Sequence, residues 1–281
     1  MTKSQMRRVA KMKSRFLSGP YVLWMVLFTL IPLGVVAYYA FTDPNTGAFS
    51  MMNILELRNY LPVVWQSVLY SLISAVICLV LGYPVAYFIA HQGEVTQKIL
   101  YMLVMLPMCM SFLLRTLAWV GLLQDTGIIN NLLSLVGIGP IRMIRTPGAV
   151  ILGMVYNYLP YMILPLYAII VKIDNRLIEA AEDLGCNGFM VFTKVVLPLS
   201  MPGILSGLTM VFVPAVSTFY ISQKLGGTDT VLIGDVIERQ FKQGNNANLG
   251  AALSLLLMIL VFICTGIMNR LGADEEGGVV V

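Results

Sequence analysis

Residues 178–203 read IEAAEDLGCNGFMVFTKVVLPLSMPG, a polar, glycine-broken stretch inside a strongly apolar chain. Asp174 lies just before it and is a good helix N-cap. From Leu177 onwards, apolar residues recur at i+3, i+4 and i+7, while acids occupy the other faces. Two glycines then predict a turn, and a second apolar helical piece leads into Leu197-Pro198. The pattern predicts a short helix–turn–helix fixed to the apolar segment that follows it.

The composition of the whole chain is typical of a membrane protein. Hydrophobic residues make up 58% of the chain and charged residues only 11%, whereas soluble domains carry about 25% charged residues. The mean hydropathy is +0.83. In a bilayer every backbone polar group must be paired internally, which permits only helices or closed barrels. The apolar stretches are continuous and do not alternate, so the sequence predicts an all-α membrane protein.

Six apolar stretches reach the roughly 20 residues that cross a bilayer core. The third contains Arg115, but apolar residues continue on both sides of it. The predicted spans are 20–41, 65–90, 99–123, 148–171, 203–222 and 249–269. They form a six-span domain (17–270) between a basic N-terminal tail (1–16) and a C-terminal tail (271–281). A polar loop (172–202) joins the fourth and fifth spans.

The basic residues predict the orientation. The N-terminal tail is rich in Lys and Arg, and the apolar run after it is too long for the core of a cleaved signal peptide. We therefore expect an uncleaved first helix. With the six basic residues of this tail included, the segments on its side of the membrane carry 11 Lys and Arg, among them Lys172, Arg176 and Lys194, against 6 on the other side. Both termini and the polar loop are predicted to be cytoplasmic. The net charge of +4 is then a topology signal and gives no case for nucleic-acid binding.

The sequence offers no catalytic or metal-binding constellation. The predicted spans contain no Asp or Glu, the only histidine is His91, and the four cysteines show no CxxC spacing. A phosphate-binding GxxxxGK[ST] loop is also absent. Uphill transport by this chain would therefore need energy from another chain, and ion-coupled transport is disfavoured because Arg115 is the only ionisable residue inside a span. We expect no enzyme activity, no metal and no cofactor bound by this chain.

The polar loop resembles the EAA motif of permease subunits of binding-protein-dependent ABC importers. That motif is Glu-Ala-Ala-x3-Gly-x9-Ile-x-Leu-Pro, and this chain has Glu179-Ala180-Ala181, Gly185, Val195 and Leu197-Pro198 at the same spacing. The only departure is Val195 in place of Ile. The stretch GYPVAYFIA (82–90) also resembles the end of a core helix in this family. We call residues 172–202 the EAA segment.

Within this family, the chain most resembles the first permease subunit of spermidine/putrescine importers. The likeness covers most of the chain and is carried by residues 141–167, 178–204 and 212–241. It implies a type I ABC importer permease in the bacterial cytoplasmic membrane, which forms half of the translocation path. The implied partners are a second permease subunit, two cytoplasmic ATPase subunits that bind ATP and Mg, and an extracytoplasmic substrate-binding protein.

The resemblance implies that the EAA segment couples the permease to the ATPase. Small Ala180 and Ala181 would permit close approach in a groove, and Glu179 would pair with a cationic or N–H donor. Gly185 would allow a turn that a side chain obstructs. Leu197-Pro198 would fix the re-entry into the membrane.

A polyamine path calls for aromatic faces and scattered acids, because polyamines are flexible cations. The candidate path residues are Tyr156, Tyr161, Phe219 and Tyr220. Tyr158 and Tyr167 cluster near them, although aromatic belts at membrane interfaces are an equal explanation for some of these residues. Candidate acids of the outer mouth are Asp125, Asp229, Asp235 and Glu238. The alternatives are a permease for thiamine, phosphonate or ferric ion, and a membrane scaffold that uses the EAA segment only for docking.

Overall fold

The computed structural model of the protein describes residues 20–43, 46–228, 230–242 and 246–276, and these are helical. The basic tail (1–16) and the C-terminal tail beyond residue 276 lie outside the described residues. The helices are α1 (Pro20–Ala40), α2 (Met52–Ala90), α3 (Glu94–Met105), α4 (Phe112–Leu123), α5 (Ile128–Leu135), α6 (Pro147–Ile170), α7 (Asn175–Asp183), α8 (Gly188–Val216), α9 (Tyr220–Leu225), α10 (Ile233–Lys242) and α11 (Ala247–Glu276).

Six helical stretches in the described part of the chain are long and apolar enough to cross a membrane. They are α1, α2, Phe112–Leu135, α6, α8 and Ala247–Met268. The prediction of an all-α protein with six candidate transmembrane helices is therefore confirmed. The cytoplasmic position of the termini stays a prediction, because length and composition do not give orientation.

The third predicted span (99–123) is not one helix in the structure. Helix α3 ends at Met105, a 3₁₀ turn follows at Leu106–Cys109, and α4 begins at Phe112. Pro107 has no N–H to donate and lies at the start of that turn. Each of α3 and α4 has 12 residues, about 18 Å of helix, which is too short for a bilayer core. Arg115 lies in the first turn of α4, and the candidate membrane-crossing stretch Phe112–Leu135 is itself interrupted between α4 and α5.

Two other helix bounds also differ from the sequence prediction. Helix α2 begins at Met52, well before residue 65. Its N-terminal turns contain Glu56 and Arg58, so the helix extends beyond the apolar stretch into a polar end. The fifth span was expected at 203–222, but α8 runs continuously over Gly188–Val216. The chain then leaves the helical conformation before α9 begins at Tyr220.

The chain divides into two compact units. One contains the described residues up to Asn59 together with Arg239–Leu256. Its buried contacts join Ala40 to Ala251 and Ala252. Two buried amides strengthen this unit, because the Nδ2 of Asn53 and of Asn248 both donate to the carbonyl of Thr42, at 2.9 and 2.6 Å.

The second unit contains Tyr60–Glu238 and the described residues from Leu257 onwards. Its core is built on α6, which packs against α8 and α9. Glycines allow the close approach, as is usual between membrane helices. A Cβ atom on Gly207 would lie 2.6 Å from Met162 Sδ, and one on Gly153 would lie 2.5 Å from Leu225 Cδ1. This packing holds both the EAA segment and the cavity described below.

Candidate functional site

The helix α7 carries the EAA sequence and has a defined start and end. Asp174 caps its start, since its Oδ1 accepts a hydrogen bond from Arg176 N at 3.0 Å. At its end, Gly185 N donates to Glu182 O at 2.8 Å, and Cys186 N donates to Ala181 O at 3.0 Å. These paired bonds form a Schellman motif, in which the residue after the helix adopts a left-handed conformation. Gly185 has φ +86°.

Glycine is therefore required at position 185 by the backbone conformation and not by a lack of space for a side chain. No atom lies within 4 Å of the position that a Cβ on Gly185 would take. The turn that a side chain would obstruct is thus explained by the backbone conformation of Gly185 and not by a neighbouring atom. A left-handed φ is unfavourable for residues that carry a Cβ atom.

The apolar stripe of α7 divides into an inward and an outward part. Ala181 is only 9% exposed and packs with Val191 and Val196. In contrast, Leu184 is 85% exposed and Phe189 at the start of α8 is 76% exposed. Glu179, Ala180 and Leu177 are exposed as well. We call the exposed residues Leu177, Ala180, Leu184 and Phe189 the outer EAA face.

Leu197-Pro198 lies within a continuous helix and does not end a loop. The preceding residues Phe192–Val196 form a π-helical turn, in which Leu197 N donates to Phe192 O. Pro198 cannot donate to the carbonyl four residues earlier, and a local π turn is a common way to absorb such an interruption. The EAA segment therefore contains the beginning of α8 and is not a loop over its full length 172–202.

An aromatic and hydroxyl contact set joins the EAA segment to α2. The rings of Tyr83 and Tyr87 lie edge-on to Phe192, with centroid distances of 5.4 and 6.3 Å. The hydroxyl of Tyr83 is 2.8 Å from Ser200 Oγ, and both residues are buried. Sequence reasoning missed these residues as a coupling contact. The available signal was the i, i+4 pair of tyrosines in GYPVAYFIA.

A cavity of about 410 Å³ lies between α4, α6 and the residues that join α8 to α9. It brings together three of the four predicted path residues, Tyr161, Phe219 and Tyr220. Tyr156 is not part of this lining, and its ring packs edge-on against Trp119 with centroids 5.3 Å apart. The other lining residues are Phe112, Leu113, Arg115, Asn157, Tyr158, Ser217 and Thr218.

Three buried polar residues, Arg115, Asn157 and Tyr158, line the cavity, and of these the sequence pattern did not single out Asn157. Arg115 is only 7% exposed, and its Nε and Nη1 atoms have no hydrogen-bond partner in the described part of the chain. Asn157 donates to Gly153 O at 2.9 Å, while its Oδ1 has no partner there. Tyr158 donates from its hydroxyl to Pro214 O at 3.3 Å. The cavity thus offers both cationic donors and a neutral acceptor.

An ammonium group already lies over one of the aromatic rings. Lys224 Nζ is 5.7 Å from the ring centroid of Tyr220, within the roughly 6 Å range of a cation–π contact. Both residues belong to α9, which follows the helix break at Ser217. The face of Tyr220 is therefore able to accept an ammonium.

The predicted acids of the outer mouth have different surroundings. Asp235 is only 4% exposed, and its Oδ2 accepts from Leu232 N at 2.8 Å at the start of α10. The expectation of a solvent-facing carboxylate is corrected for this residue. Glu238 accepts a hydrogen bond from Gln223 Nε2. Asp125 is exposed and lines a cavity with Arg142 and Arg145. Asp229 lies outside the described residues.

The described residues contain no group of three His, Cys, Asp or Glu side chains that would hold a metal ion.

Residues 82–273 match the family described as binding-protein-dependent transport system inner membrane component.

Curated relatives cover most of the chain. The spermidine/putrescine transport system permease protein PotB of Haemophilus influenzae is 40% identical over 253 residues, which is 85% of this chain and 88% of the relative. PotB of Escherichia coli is 38% identical over 248 residues, which is 85% of this chain and 90% of the relative. The inner membrane ABC transporter permease protein YdcU of the same species is 30% identical, covering 89% of this chain and 84% of the relative.

Solved structures share the fold. A chain of a bacterial ABC transporter involved in the import of the acidic polysaccharide alginate has a TM-score of 0.80 at 18% identity, covering 95% of this chain and 99% of that one. A chain of the MetNI methionine ABC transporter in an inward-facing conformation has a TM-score of 0.59 at 19% identity, covering 76% and 95%. These likenesses show a type I ABC importer permease fold and nothing about the solute.

Proposed function

Because this chain belongs to the family of binding-protein-dependent transport system inner membrane components and is a multi-pass protein of the bacterial inner membrane, we propose that it is a permease subunit of an ATP-driven polyamine importer. The 40% identity to a spermidine/putrescine permease over 85% of the chain carries the proposal. Spermidine and putrescine are the proposed substrates. A second permease subunit would complete the translocation path.

The cavity between α4, α6 and α9 supports a cationic substrate with aromatic contacts. Phe219 and Tyr220 offer ring faces, and Lys224 occupies one of them as an ammonium of the chain itself. The free Oδ1 of Asn157 is an acceptor that suits an N–H donor of a passing amine. Several weak contacts, with no carboxylate of this chain among the described lining residues, suit passage better than tight binding. High affinity would then belong to an external binding protein.

The outer EAA face supports coupling to a cytoplasmic ATPase. Leu184 and Phe189 are large apolar side chains that remain mostly exposed at a polar segment between two spans. Such a patch is typical of a protein interface. Val191 and Val196 hold α7 against the start of α8, and Phe192 joins this unit to α2. A push on α7 would thus reach two spans through packed side chains. ATP and Mg would bind to the ATPase and not to this chain.

The test is uptake by the complete importer in proteoliposomes. We expect ATP-dependent accumulation of radiolabelled spermidine, with competition by unlabelled putrescine and none by thiamine, phosphonate or ferric ion. Competition by one of the latter solutes instead would overturn the polyamine assignment. Absence of any ATP-dependent uptake by an assembled complex would favour the scaffold alternative.

Substitution of the path aromatics tests the role of the cavity. Phe219→Ala and Tyr220→Ala should each lower spermidine uptake several-fold, since a partly exposed cation–π contact contributes about 1 kcal/mol. Tyr38→Ala is a matched control, because Tyr38 is an exposed aromatic of α1 outside this cavity. Equal uptake by all three variants would contradict the path assignment.

A further inference from the structure

Arg115 brings a permanent positive charge into a cavity through which a cation is proposed to pass. The guanidinium does not lose its proton in proteins, and 7% exposure leaves it little contact with water. Two of its nitrogens, Nε and Nη1, lack partners among the described residues. A buried charge of this kind needs an opposite charge to be tolerated.

No acid of this chain that the structure describes lines the cavity. Asp and Glu are also absent from the three sequence ranges that form the cavity, which are residues 95–124, 126–173 and 195–228. A polyamine cannot supply the charge, because it is itself a cation. Within the described part of this chain, no carboxylate that lines the cavity supplies the counter-charge.

We infer that Arg115 pairs with a carboxylate of the second permease subunit, and that this ion pair occupies the cavity when no substrate is present. The inference rests on the proposed two-permease importer. A planar guanidinium matches a carboxylate with two parallel hydrogen bonds. A carboxylate fixed in the adjacent subunit is always present at high effective concentration, unlike a free anion that each passing cation could remove.

The ion pair lets the cavity admit a polyamine, although this chain places no negative charge among the described residues that line the cavity. An arriving ammonium competes with Arg115 for the same carboxylate, while Phe219 and Tyr220 contact its alkyl chain and amine. After passage, Arg115 recovers its partner. Arg115 thus acts as a specificity-determining residue, because small cations of low charge do not displace it from the carboxylate.

Charge exchange between the two subunits tests the pair. Arg115→Glu should lower spermidine uptake by about tenfold or more, because it places two carboxylates together. Each Asp or Glu in the membrane segments of the second subunit is then replaced by Lys in the Arg115→Glu background. One such double variant should regain most of the uptake, whereas the same Lys substitution alone should lower it. Failure of every double variant to exceed Arg115→Glu would overturn the inference.

A neutral pair of substitutions covers variants that fail to assemble. Arg115→Met leaves an unpaired carboxylate, and replacing the partner acid by Leu or Asn should then restore co-purification and thermal stability of the two permeases. Additive losses at every acid position would contradict the pair. This readout needs no transport, so it separates failure of the ion pair from failure of the polyamine assignment, which is measured as wild-type uptake.

A free anion is distinguished by exchanging chloride for gluconate on both sides of the vesicles. We expect wild-type uptake to stay unchanged, because the counter-charge belongs to the protein. A loss of uptake in gluconate that Arg115→Met abolishes would assign the cavity to chloride and overturn the pairing with a subunit carboxylate.

Discussion

At the scale of single residues, the EAA spacing has a direct structural explanation. Ala181 supplies the carbonyl that Cys186 N contacts, and Gly185 is the left-handed residue between them. The four-residue distance from Ala181 to Gly185 is therefore the distance from the third-last helical residue to the first residue beyond the Schellman cap. Spacing alone predicted the turn, but the positive φ that explains the glycine required coordinates.

Gly185→Ala should destabilise this turn by about 1–2 kcal/mol, the penalty of a left-handed conformation for a residue with Cβ. We expect a several-fold fall in spermidine uptake with unchanged insertion in the membrane. Gly188→Ala is the matched control, because Gly188 has no positive φ and also has no atom within 4 Å of its Cβ position. Equal uptake by the two variants would show that the turn is not conformationally strained.

The buried hydroxyl pair of Tyr83 and Ser200 predicts unequal effects of its two partners. Ser200 Oγ also contacts Leu197 O at 3.0 Å, so it keeps a bond when Tyr83 loses its hydroxyl. Ser200→Ala leaves a buried tyrosine hydroxyl without its partner and should destabilise the protein by about 1–3 kcal/mol, whereas Tyr83→Phe should do so by about 1 kcal/mol or less. Thermal unfolding in detergent measures both, and a larger shift for Tyr83→Phe would contradict this order of effects.

At the scale of helices, the sequence predicted the number of spanning elements better than their ends. Hydrophobicity identifies where lipid is the solvent, but a helix continues into water when its backbone bonds continue, as the start of α2 at Met52 does. The positions of the prolines did not predict the helix ends either. Pro84, Pro160 and Pro214 lie inside continuous helices, whereas Pro107 accompanies a complete break. The cavity follows from that break and from the one after Val216, so its polar lining was not predictable from periodicity.

The contact of α6 with α8 and α9 depends on small residues. Gly153→Ala would bring a Cβ to 2.5 Å from Leu225 Cδ1 and 2.9 Å from Ile221 Cγ2, and overpacking of this kind destabilises by about 1–3 kcal/mol. Gly121→Ala in α4 is the control, since nothing lies within 4 Å of its Cβ position and alanine favours a helix. We expect a lower melting temperature for Gly153→Ala only. An unchanged melting temperature for Gly153→Ala would mean that the helices separate enough to absorb the methyl group.

At the scale of the whole molecule, the described chain presents a candidate path, the cavity that contains Tyr161, and a candidate coupling surface, the outer EAA face. Residue types alone predicted both candidate regions, through the aromatics near Tyr161 and the acids and alanines near Glu179. Sequence reasoning overlooked Arg115 as a cavity residue, because an arginine near a span end is normally expected to reach water. Arg115 lies in α4, which packs against α5, α6 and α9, and is only 7% exposed.

The outer EAA face predicts where the ATPase subunits bind to this chain. Burying an exposed Leu or Phe side chain in a partner contributes about 1.5–3 kcal/mol, so Leu184→Asp and Phe189→Asp should each weaken retention of the ATPase subunits by at least about tenfold. Leu135→Asp is the matched control, since Leu135 is 83% exposed at the end of α5, outside the EAA segment. Co-purification of the ATPase and substrate-stimulated ATP hydrolysis measure the effect. Full retention by the Leu184 and Phe189 variants would place the ATPase contact elsewhere, whereas equal loss in the Leu135 variant would trace the effect to general disruption of the fold.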